Sequence, residues 1–322
     1  MPVTVAVCTW NRARLLDQTL GEMRKLLIPP GVEWELLVVN NNCTDDTDAV
    51  IARHGKYLPI RRLFEPKPGL SNARNCAVAA AKGEIIIFTD DDVKPCQDWV
   101  ATYWNGYKER PRGYFFGGPV ESEFDGPLPN LDLIELAPPS VKGLDLGTVA
   151  GPVNGGTLFL AANWACPRTA LVDVGGFDER FGLDPSSGRV KVGEETDLMV
   201  RLKGAGWRDW YLPGAKVRHY VPREKCSLAH LGERSEAFGW YCAQKDLESG
   251  GNSAKALFGI PLWCVRRTAV AGLKCAWQSL RRRAAYADYL EFRRLVGSLR
   301  CYGARRLDTR RYPRGQVGGK PE

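Results

Sequence analysis

Short apolar runs alternate with amphipathic segments over the first hundred residues. Runs rich in branched side chains at residues 3–8, 34–39 and 60–64 predict strands. Residues 84–89 contain Ile-Ile-Ile-Phe, which is typical of a parallel strand buried on both faces. The core of a sheet is therefore expected in this part of the chain.

Three segments between these runs are predicted to be helices. The first has apolar residues at helical spacing, the second opens with acids and the third is rich in Ala. They cover residues 12–27, 45–54 and 70–82, and the last ends at Gly83, a residue common just after a helix. The resulting β-α-β-α order predicts an α/β fold. We expect an open, mostly parallel, Rossmann-like sheet with helices on both faces.

The pattern changes twice further along the chain. Residues 121–152 are rich in Pro and Gly with little periodicity, which predicts a long loop region. Helices are expected from about Arg168 and over 194–203, and short strands over 207–212 and 216–220. From residue 223 the pattern is helical and basic. We therefore predict a catalytic domain over 1–222 and a helical extension over 223–322.

Charge separates these two regions more sharply than hydropathy does. Residues 1–222 hold 25 basic and 28 acidic side chains, whereas residues 223–322 hold 20 basic and 9 acidic ones. Such asymmetry favours contact between the extension and an anionic surface. Residues 1–7 have no signal-peptide pattern, so a cytoplasmic protein is expected. The ten cysteines are scattered singly, which favours reduced thiols over a disulfide framework.

Polar clusters follow three of the predicted strands. Residues 9–12 follow the first, residues 40–42 the second, and Asp90, Asp91 and Asp92 the Ile-rich strand. Ligands of open α/β sheets bind beyond the carboxyl ends of the strands. Adjacent carboxylates suit Mg²⁺ or Mn²⁺ bridged to phosphates. A solvated acidic turn is the alternative, and the spacing excludes an EF-hand loop.

Six motifs occur in an order that identifies a family. They are VTVAVCTWNR at 3–12, VVNNNCTDDT at 38–47, GLSNARN at 69–75, FTDDD at 88–92, GGFDE at 175–179 and GEETD at 193–197. Over residues 3–222 the chain thereby resembles the family 2 glycosyltransferases, which have the GT-A fold. This ordered set is specific to the family but not to a substrate.

The resemblance implies a nucleotide-diphosphate sugar as donor, with a UDP-sugar favoured. Thr9, Asn40 and Arg74 match positions that hold the base, ribose and phosphate, and Asp90 and Asp91 lie where the nucleoside is held. The full set of expected donor-binding residues is Thr9, Asn11, Arg12, Asn40, Asn42, Arg74, Asp90, Asp91 and Asn163. For the metal, Asp92 matches the usual ligand, with Asp90 and His219 as further candidates.

The resemblance also implies an acidic general base. Glu195 is expected to deprotonate the acceptor hydroxyl in a single inverting displacement, with Glu194 as its partner in the acidic pair. Two glutamates that only complement a helix N-terminus are the alternative. Glu195 and Asn40 both stand where aspartate is common in the family. Glu195 in place of aspartate affects where the acceptor hydroxyl lies. Asn40 in place of aspartate affects which nucleobase the donor carries.

Neither the acceptor nor the role of the extension follows from the motifs. We expect a hydroxyl acceptor such as a lipid-linked glycan, a glycolipid or a polysaccharide. Arginine clusters beside apolar residues favour a helix at the inner face of an anionic membrane, and a helical appendage packed on the catalytic domain is the alternative. Nucleic acid is not an expected partner. A nucleotidyltransferase and a non-catalytic sugar- or membrane-binding protein remain the competing functions.

Overall fold

The computed structural model describes residues 2–153, 156, 158–183, 191–250, 256–257, 259–280 and 285–309. The arginine cluster at 281–283 and the last residues from 310 lie outside the described residues. Apart from residues 190–192, the chain divides into two compact units after Cys226. The first unit carries all six motifs, and the second is helical.

The elements alternate through the first unit much as the hydropathy pattern predicts. Its strands are β1 (Val3–Thr9), β2 (Trp34–Asn40), β3 (Ile60–Phe64), β4 (Ile85–Asp90), β5 (Val93–Pro95), β6 (Tyr114–Gly117), β7 (Val120–Phe124), β8 (Gly151–Pro152), β9 (Trp164–Pro167), β10 (Arg208–Tyr211) and β11 (Val217–Val221). Its helices are α1 (Ala13–Met23), α2 (Thr47–His54), α3 (Leu70–Ala80), α4 (Trp99–Glu109), α5 (Leu131–Glu135), α6 (Pro139–Lys142), α7 (Arg168–Asp173) and α8 (Glu194–Gly204), followed by a 3₁₀ turn at Arg223–Cys226.

The main sheet is open and mixed. Its strand order is β3-β2-β1-β4-β9-β6-β10-β8, and the first four strands are parallel to one another. Beyond them β9 runs antiparallel to both β4 and β6. A second sheet has the order β5-β11-β7. The predicted α/β fold with an open, helix-flanked sheet is confirmed.

Two apolar clusters cover the two faces of the main sheet. Along β1, Val5 and Val7 belong to one cluster and Ala6 to the other, because successive side chains of a strand point to opposite faces. Helix α1 contributes Leu16 to the first cluster, and α3 contributes Ala77 to the second. Burial on both faces explains why these strands are apolar along their whole length.

The prediction of one long loop over 121–152 is wrong in part. The strand β7, the short helices α5 and α6 and the strand β8 occupy much of this stretch. A backbone bridge between Val120 and Leu144 closes the segment, and Gly143 before it has a φ of 88°. Each element is too short to give a periodic signal. The helix α4 and the strand β9 were also missing from the predicted order.

Over its described residues the second unit consists of three helices and a small hairpin. The helices are α9 (Leu228–Glu248), α10 (Leu262–Leu280) and α11 (Tyr286–Thr309), and the hairpin strands are β12 (Ala256–Leu257) and β13 (Ile260–Pro261). Helices α9 and α11 approach closely at Gly239 and Gly297, where a Cβ atom would lie 1.8 Å and 1.9 Å from a backbone oxygen of the facing helix. Within the described residues no helix is long and apolar enough to cross a membrane.

Candidate functional site

The three polar clusters predicted at strand ends meet at one edge of the main sheet. In the parallel register Thr9 lies opposite Asn40, and Cys8 lies opposite Asp90. The chain therefore leaves β1, β2 and β4 at the same level. The convergence expected from the sequence is confirmed.

A buried carboxylate pair lies at the centre of this edge. Arg12 donates from Nη1 to Asp91 Oδ1 at 2.6 Å and from Nη2 to Asp92 Oδ2 at 2.5 Å, and Thr9 Oγ1 donates to Asp91 Oδ2 at 2.8 Å. Burial raises the pKa of Asp91 to about 7, although Arg12 opposes the rise. The Arg12 guanidinium thus offsets two adjacent negative charges that would otherwise repel each other.

A second group of side chains fits a divalent cation. One ligand atom each from Asp90, Asp92 and His219 lies within 4.8 Å of the others. His219 reaches this position because β11 pairs with β5, which sets His219 opposite Val93. His219 Nε2 is 3.3 Å from Asp92 Oδ1, yet that buried oxygen accepts no hydrogen bond.

An oxygen and a nitrogen that approach without a hydrogen bond are suited to share a metal ion. Oxygen and imidazole ligands are compatible with Mn²⁺, and carboxylates with Mg²⁺. Although burial acts to raise it, the neighbouring His219 and Arg12 side chains hold the pKa of Asp92 below its ordinary value. The carboxylate is therefore in its charged, ligating form.

Arg74 connects the acidic edge to the start of α8. It is buried, and its guanidinium donates to Glu194 Oε1 at 3.0 Å and to Asp90 Oδ1 at 3.2 Å. Burial acts to lower the pKa of Arg74, but Asp90 and Glu194 raise it above its ordinary value. This side chain is a permanent positive charge beside the candidate metal ligands.

The acidic pair predicted to hold the base begins α8. Gly193 precedes it with a φ of 99°, a conformation that favours glycine. Glu194 is buried and accepts the hydrogen bond from Arg74, whereas Glu195 is half-buried. The two glutamates therefore occupy different environments although they are neighbours in sequence.

The asparagines expected to bind the donor hold the surrounding loops. Asn11 and Asn42 both have positive φ, of 51° and 62°. Asn11 Oδ1 accepts from the Thr44 amide at 2.6 Å, which ties the turn after β1 to the turn after β2. Asn40 accepts from the Cys43 amide at 2.8 Å and donates to Asp48 at 2.8 Å. These amides shape the rim of the site through contacts within the protein.

Asn163 does not join this group. It is fully buried, and its Oδ1 accepts from Trp99 Nε1 and from the Tyr103 hydroxyl, both at 2.8 Å. Its Nδ2 donates to the carbonyls of Pro119 and Ala215. Because all these positions are used by the protein, the geometry favours a structural role over the donor contact that the sequence suggested.

Two residues that support the site were missed by the sequence analysis. Thr19 on α1 donates to the Asp91 carbonyl at 2.9 Å and accepts from the Val93 amide, which fixes the turn after Asp91. Asn75 exchanges two hydrogen bonds of 2.8 Å with the backbone of Phe177. The only sequence signal for Thr19 is a polar residue on the apolar face of its helix, whereas Asn75 lies inside a motif.

Comparison with known proteins finds a matching family model and similar sequences. Residues 4–158 match the family model described as Glycosyl transferase family 2. The chain is 25% identical over 235 residues to the succinoglycan biosynthesis protein ExoM of Rhizobium meliloti, covering 72% of this chain and 71% of ExoM. It is 28% identical over 223 residues to the pre-mycofactocin glycosyltransferase of Mycobacterium tuberculosis, covering 67% of this chain and only 42% of that protein.

A solved structure has the same fold at low sequence identity. The mannosyltransferase PcManGT from Pyrobaculum calidifontis, determined with GDP-Man and Mn²⁺, superimposes with a TM-score of 0.56. The alignment covers 97% of this chain and 88% of that one at 17% identity. The GT-A architecture therefore accounts for the arrangement of the sheet and of its polar edge.

Proposed function

We propose that this chain, which matches glycosyl transferase family 2 over residues 4–158, moves a sugar from a nucleotide diphosphate to a hydroxyl acceptor with inversion at the anomeric carbon. The observation that carries the proposal is the cluster of Asp90, Asp92 and His219, flanked by Arg74, at the carboxyl edge of the sheet. Phosphate-bound cations and arginine forks are the groups that such a donor requires.

Asp90, Asp92 and His219 are the proposed ligands of a divalent cation, Mg²⁺ or Mn²⁺. When bound, such an ion neutralises the charge that develops on the leaving diphosphate. Asp92 Oδ1 supports this assignment, because it is buried, lies 3.3 Å from His219 Nε2 and accepts no hydrogen bond, so that a cation would satisfy it. Arg74 supplies a second, fixed positive charge at the same side of the cluster.

Glu195 is the proposed general base. As the acceptor oxygen attacks the anomeric carbon, the bond from that carbon to the diphosphate oxygen breaks and the hydroxyl proton passes to Glu195. Glu194 is less suited to this role, because its carboxylate is buried in an ion pair with Arg74. A carboxylate oxygen held by a guanidinium is also less available to an acceptor hydroxyl.

The donor end of the site is proposed at the turns after β1 and β2. Trp10 is exposed at the end of β1 and offers an aromatic surface to a nucleobase. Arg12 and Thr9 hold Asp91 in a fixed position. We favour a UDP-sugar, and a GDP-sugar is the alternative because PcManGT was solved with GDP-Man. The acceptor class proposed is a lipid-linked glycan, a glycolipid or a polysaccharide.

A donor panel tests the function without knowledge of the acceptor. The full chain is incubated with Mn²⁺ and, one at a time, UDP- and GDP-sugars, and both thermal protection and slow release of free sugar are measured. We expect one donor to raise the midpoint of unfolding and to be hydrolysed. A nucleotidyltransferase would instead release pyrophosphate from a nucleoside triphosphate in the presence of a sugar phosphate.

A further inference from the structure

Helix α10 of the second unit has its apolar side chains on the outside. Most of the residues that it buries or half-buries are small or polar, namely Cys264, Thr268, Ala271, Gly272, Cys275 and Gln278, and Val265 is the exception. The other large apolar residues that the structure describes on this helix are exposed instead. The exposed fractions are 39% for Trp263, 47% for Val270, 71% for Leu273 and 52% for Trp277. A helix that only packs in a protein core would show the opposite arrangement.

The exposed apolar residues form one stripe. Trp263, Val270 and Trp277 are spaced seven residues apart, and Leu273 lies three residues after Val270. Positions at this spacing share a side of an α-helix. The stripe therefore runs along the helix from its first turn to its last with a tryptophan at each end. Tryptophan is enriched where an apolar phase meets water.

Positive charge accompanies the stripe along its whole length. Arg266 and Lys274 are exposed and fall on the same side of α10, with Arg267 beside them. The helix has no acidic residue. Arg267 contacts Glu291 of α11 at 3.1 Å, so its charge is partly offset. The surface thus combines apolar side chains with an excess of cations, which is the composition of helices that lie in a membrane interface.

We propose that the exposed face of α10, formed by Trp263, Arg266, Val270, Leu273, Lys274 and Trp277, binds the surface of an anionic lipid bilayer. The apolar stripe enters the boundary between headgroups and acyl chains, and the cations contact lipid phosphates. A second copy of this chain fits less well, because two such faces would bring like charges together. Binding to lipid does not depend on the proposed function. Only its purpose does, which is to hold the enzyme near a lipid-borne acceptor.

Vesicle sedimentation of the full chain tests this face. The vesicles are phosphatidylcholine alone, or equal parts of phosphatidylcholine and phosphatidylglycerol, each at low and high salt. We expect sedimentation with the anionic vesicles at low salt and weaker sedimentation at high salt. The variant Arg266→Gln/Lys274→Gln should bind roughly thirtyfold more weakly, since each basic residue near such a surface contributes about fivefold. Leu273→Gln/Trp277→Gln should lose at least about tenfold through its apolar side chains.

Matched controls replace residues of similar exposure in the first unit. Leu128→Gln controls for the apolar change, and Lys56→Gln with Arg112→Gln for the charge change, since all three residues are exposed. These variants should sediment like the unaltered chain. Circular dichroism shows whether each variant keeps its helices, and donor hydrolysis should be unchanged in all of them.

Three results would overturn the proposal. The α10 variants would sediment like the unaltered chain, the unaltered chain would bind neutral vesicles equally well, or it would bind no vesicles at all. A dimer in solution that is lost in Leu273→Gln/Trp277→Gln would assign the face to a second copy. If vesicle binding follows the expected pattern but no sugar nucleotide is hydrolysed, the lipid surface stands and the proposed enzymatic function fails.

Discussion

The two units of this chain break the ordinary rule of inside and outside in opposite ways. The first unit buries charged groups: Arg74, Asp91, Asp92 and Glu194 are all nearly inaccessible to water. The second exposes large apolar groups on α10. Buried charge is costly unless it is paired or binds a ligand, and exposed apolar patches mark surfaces that meet another phase. The buried charges of the first unit and the exposed apolar residues of α10 are therefore the groups to which we assign a function.

Removal of a proposed metal ligand should cause the largest loss of activity, and it should affect the first unit alone. Asp92→Ala deletes the carboxylate that faces both His219 and Arg12. We expect sugar transfer to fall below detection, because the cation and the donor diphosphate lose their shared anchor. Anionic-vesicle binding should be unchanged. Transfer is measured with the identified donor and vesicle binding by sedimentation, and loss of both together would show a general folding defect instead.

Neutralisation of the proposed base should have the next largest effect. Glu195→Gln keeps the shape of the side chain but cannot take a proton near neutral pH. We expect transfer to fall roughly 10²- to 10⁴-fold, as is usual for loss of a general base, while thermal protection by the donor persists. Glu194→Gln is the matched variant. Normal transfer by Glu195→Gln with inactive Glu194→Gln would mean that the base is the wrong glutamate.

Disruption of the buried ion pair should reduce stability more than any surface change. Arg74→Met keeps the length of the side chain but leaves Glu194 buried without its partner. Loss of one partner of a buried pair costs about 3–5 kcal/mol. Urea unfolding measures this loss as a lower free energy of unfolding of the first unit. A double variant with Glu194→Gln should recover part of the stability, whereas equal stability of the single variant and the unaltered chain would contradict the buried pair.

A smaller effect should be confined to the second unit. At Gly239 of α9 a Cβ atom would lie 1.8 Å from the carbonyl oxygen of Arg294. Gly239→Ala should therefore destabilise α9 against α11 by about 1–3 kcal/mol, as overpacking does. Hydrogen exchange should increase in those helices and not in the first unit. The control is Gly21→Ala on α1, where nothing lies within 4 Å and roughly 0.5–1 kcal/mol of stabilisation is expected.

The first unit was the easier region to predict from sequence. Strands such as β1 and β4 are buried on both faces and so appear as continuous apolar runs, and their ends carry the polar clusters. The meeting of His219 with Asp92 depends on pairing between β5 and β11, which no local pattern reveals. The family resemblance alone pointed to His219. The structural contacts of Asn163 could not be predicted, because its partners are spread over three separate segments, namely α4, Pro119 and Ala215.

Composition predicts the general character of the second unit but not the residues that form its surface. The charge excess predicted a surface that attracts anions, but not which residues form it. The spacing of Trp263, Val270 and Trp277 is visible in the sequence, but only the structure shows that this side of α10 faces outward. The boundary expected at residue 222 remains a prediction, and the structure itself separates the units after Cys226.

Mn²⁺ binding to the edge of the main sheet can be measured directly. Binding of Mn²⁺ to the unaltered chain is followed by electron paramagnetic resonance with and without the donor's nucleoside diphosphate, and the same titration is run on Asp92→Asn and His219→Gln. The account predicts that the nucleotide strengthens Mn²⁺ binding in the unaltered chain and that both substitutions weaken it, Asp92→Asn the more strongly. Equal Mn²⁺ affinity in all three proteins, or no dependence on the nucleotide, would contradict a metal-assisted nucleotide-sugar site at this edge of the sheet.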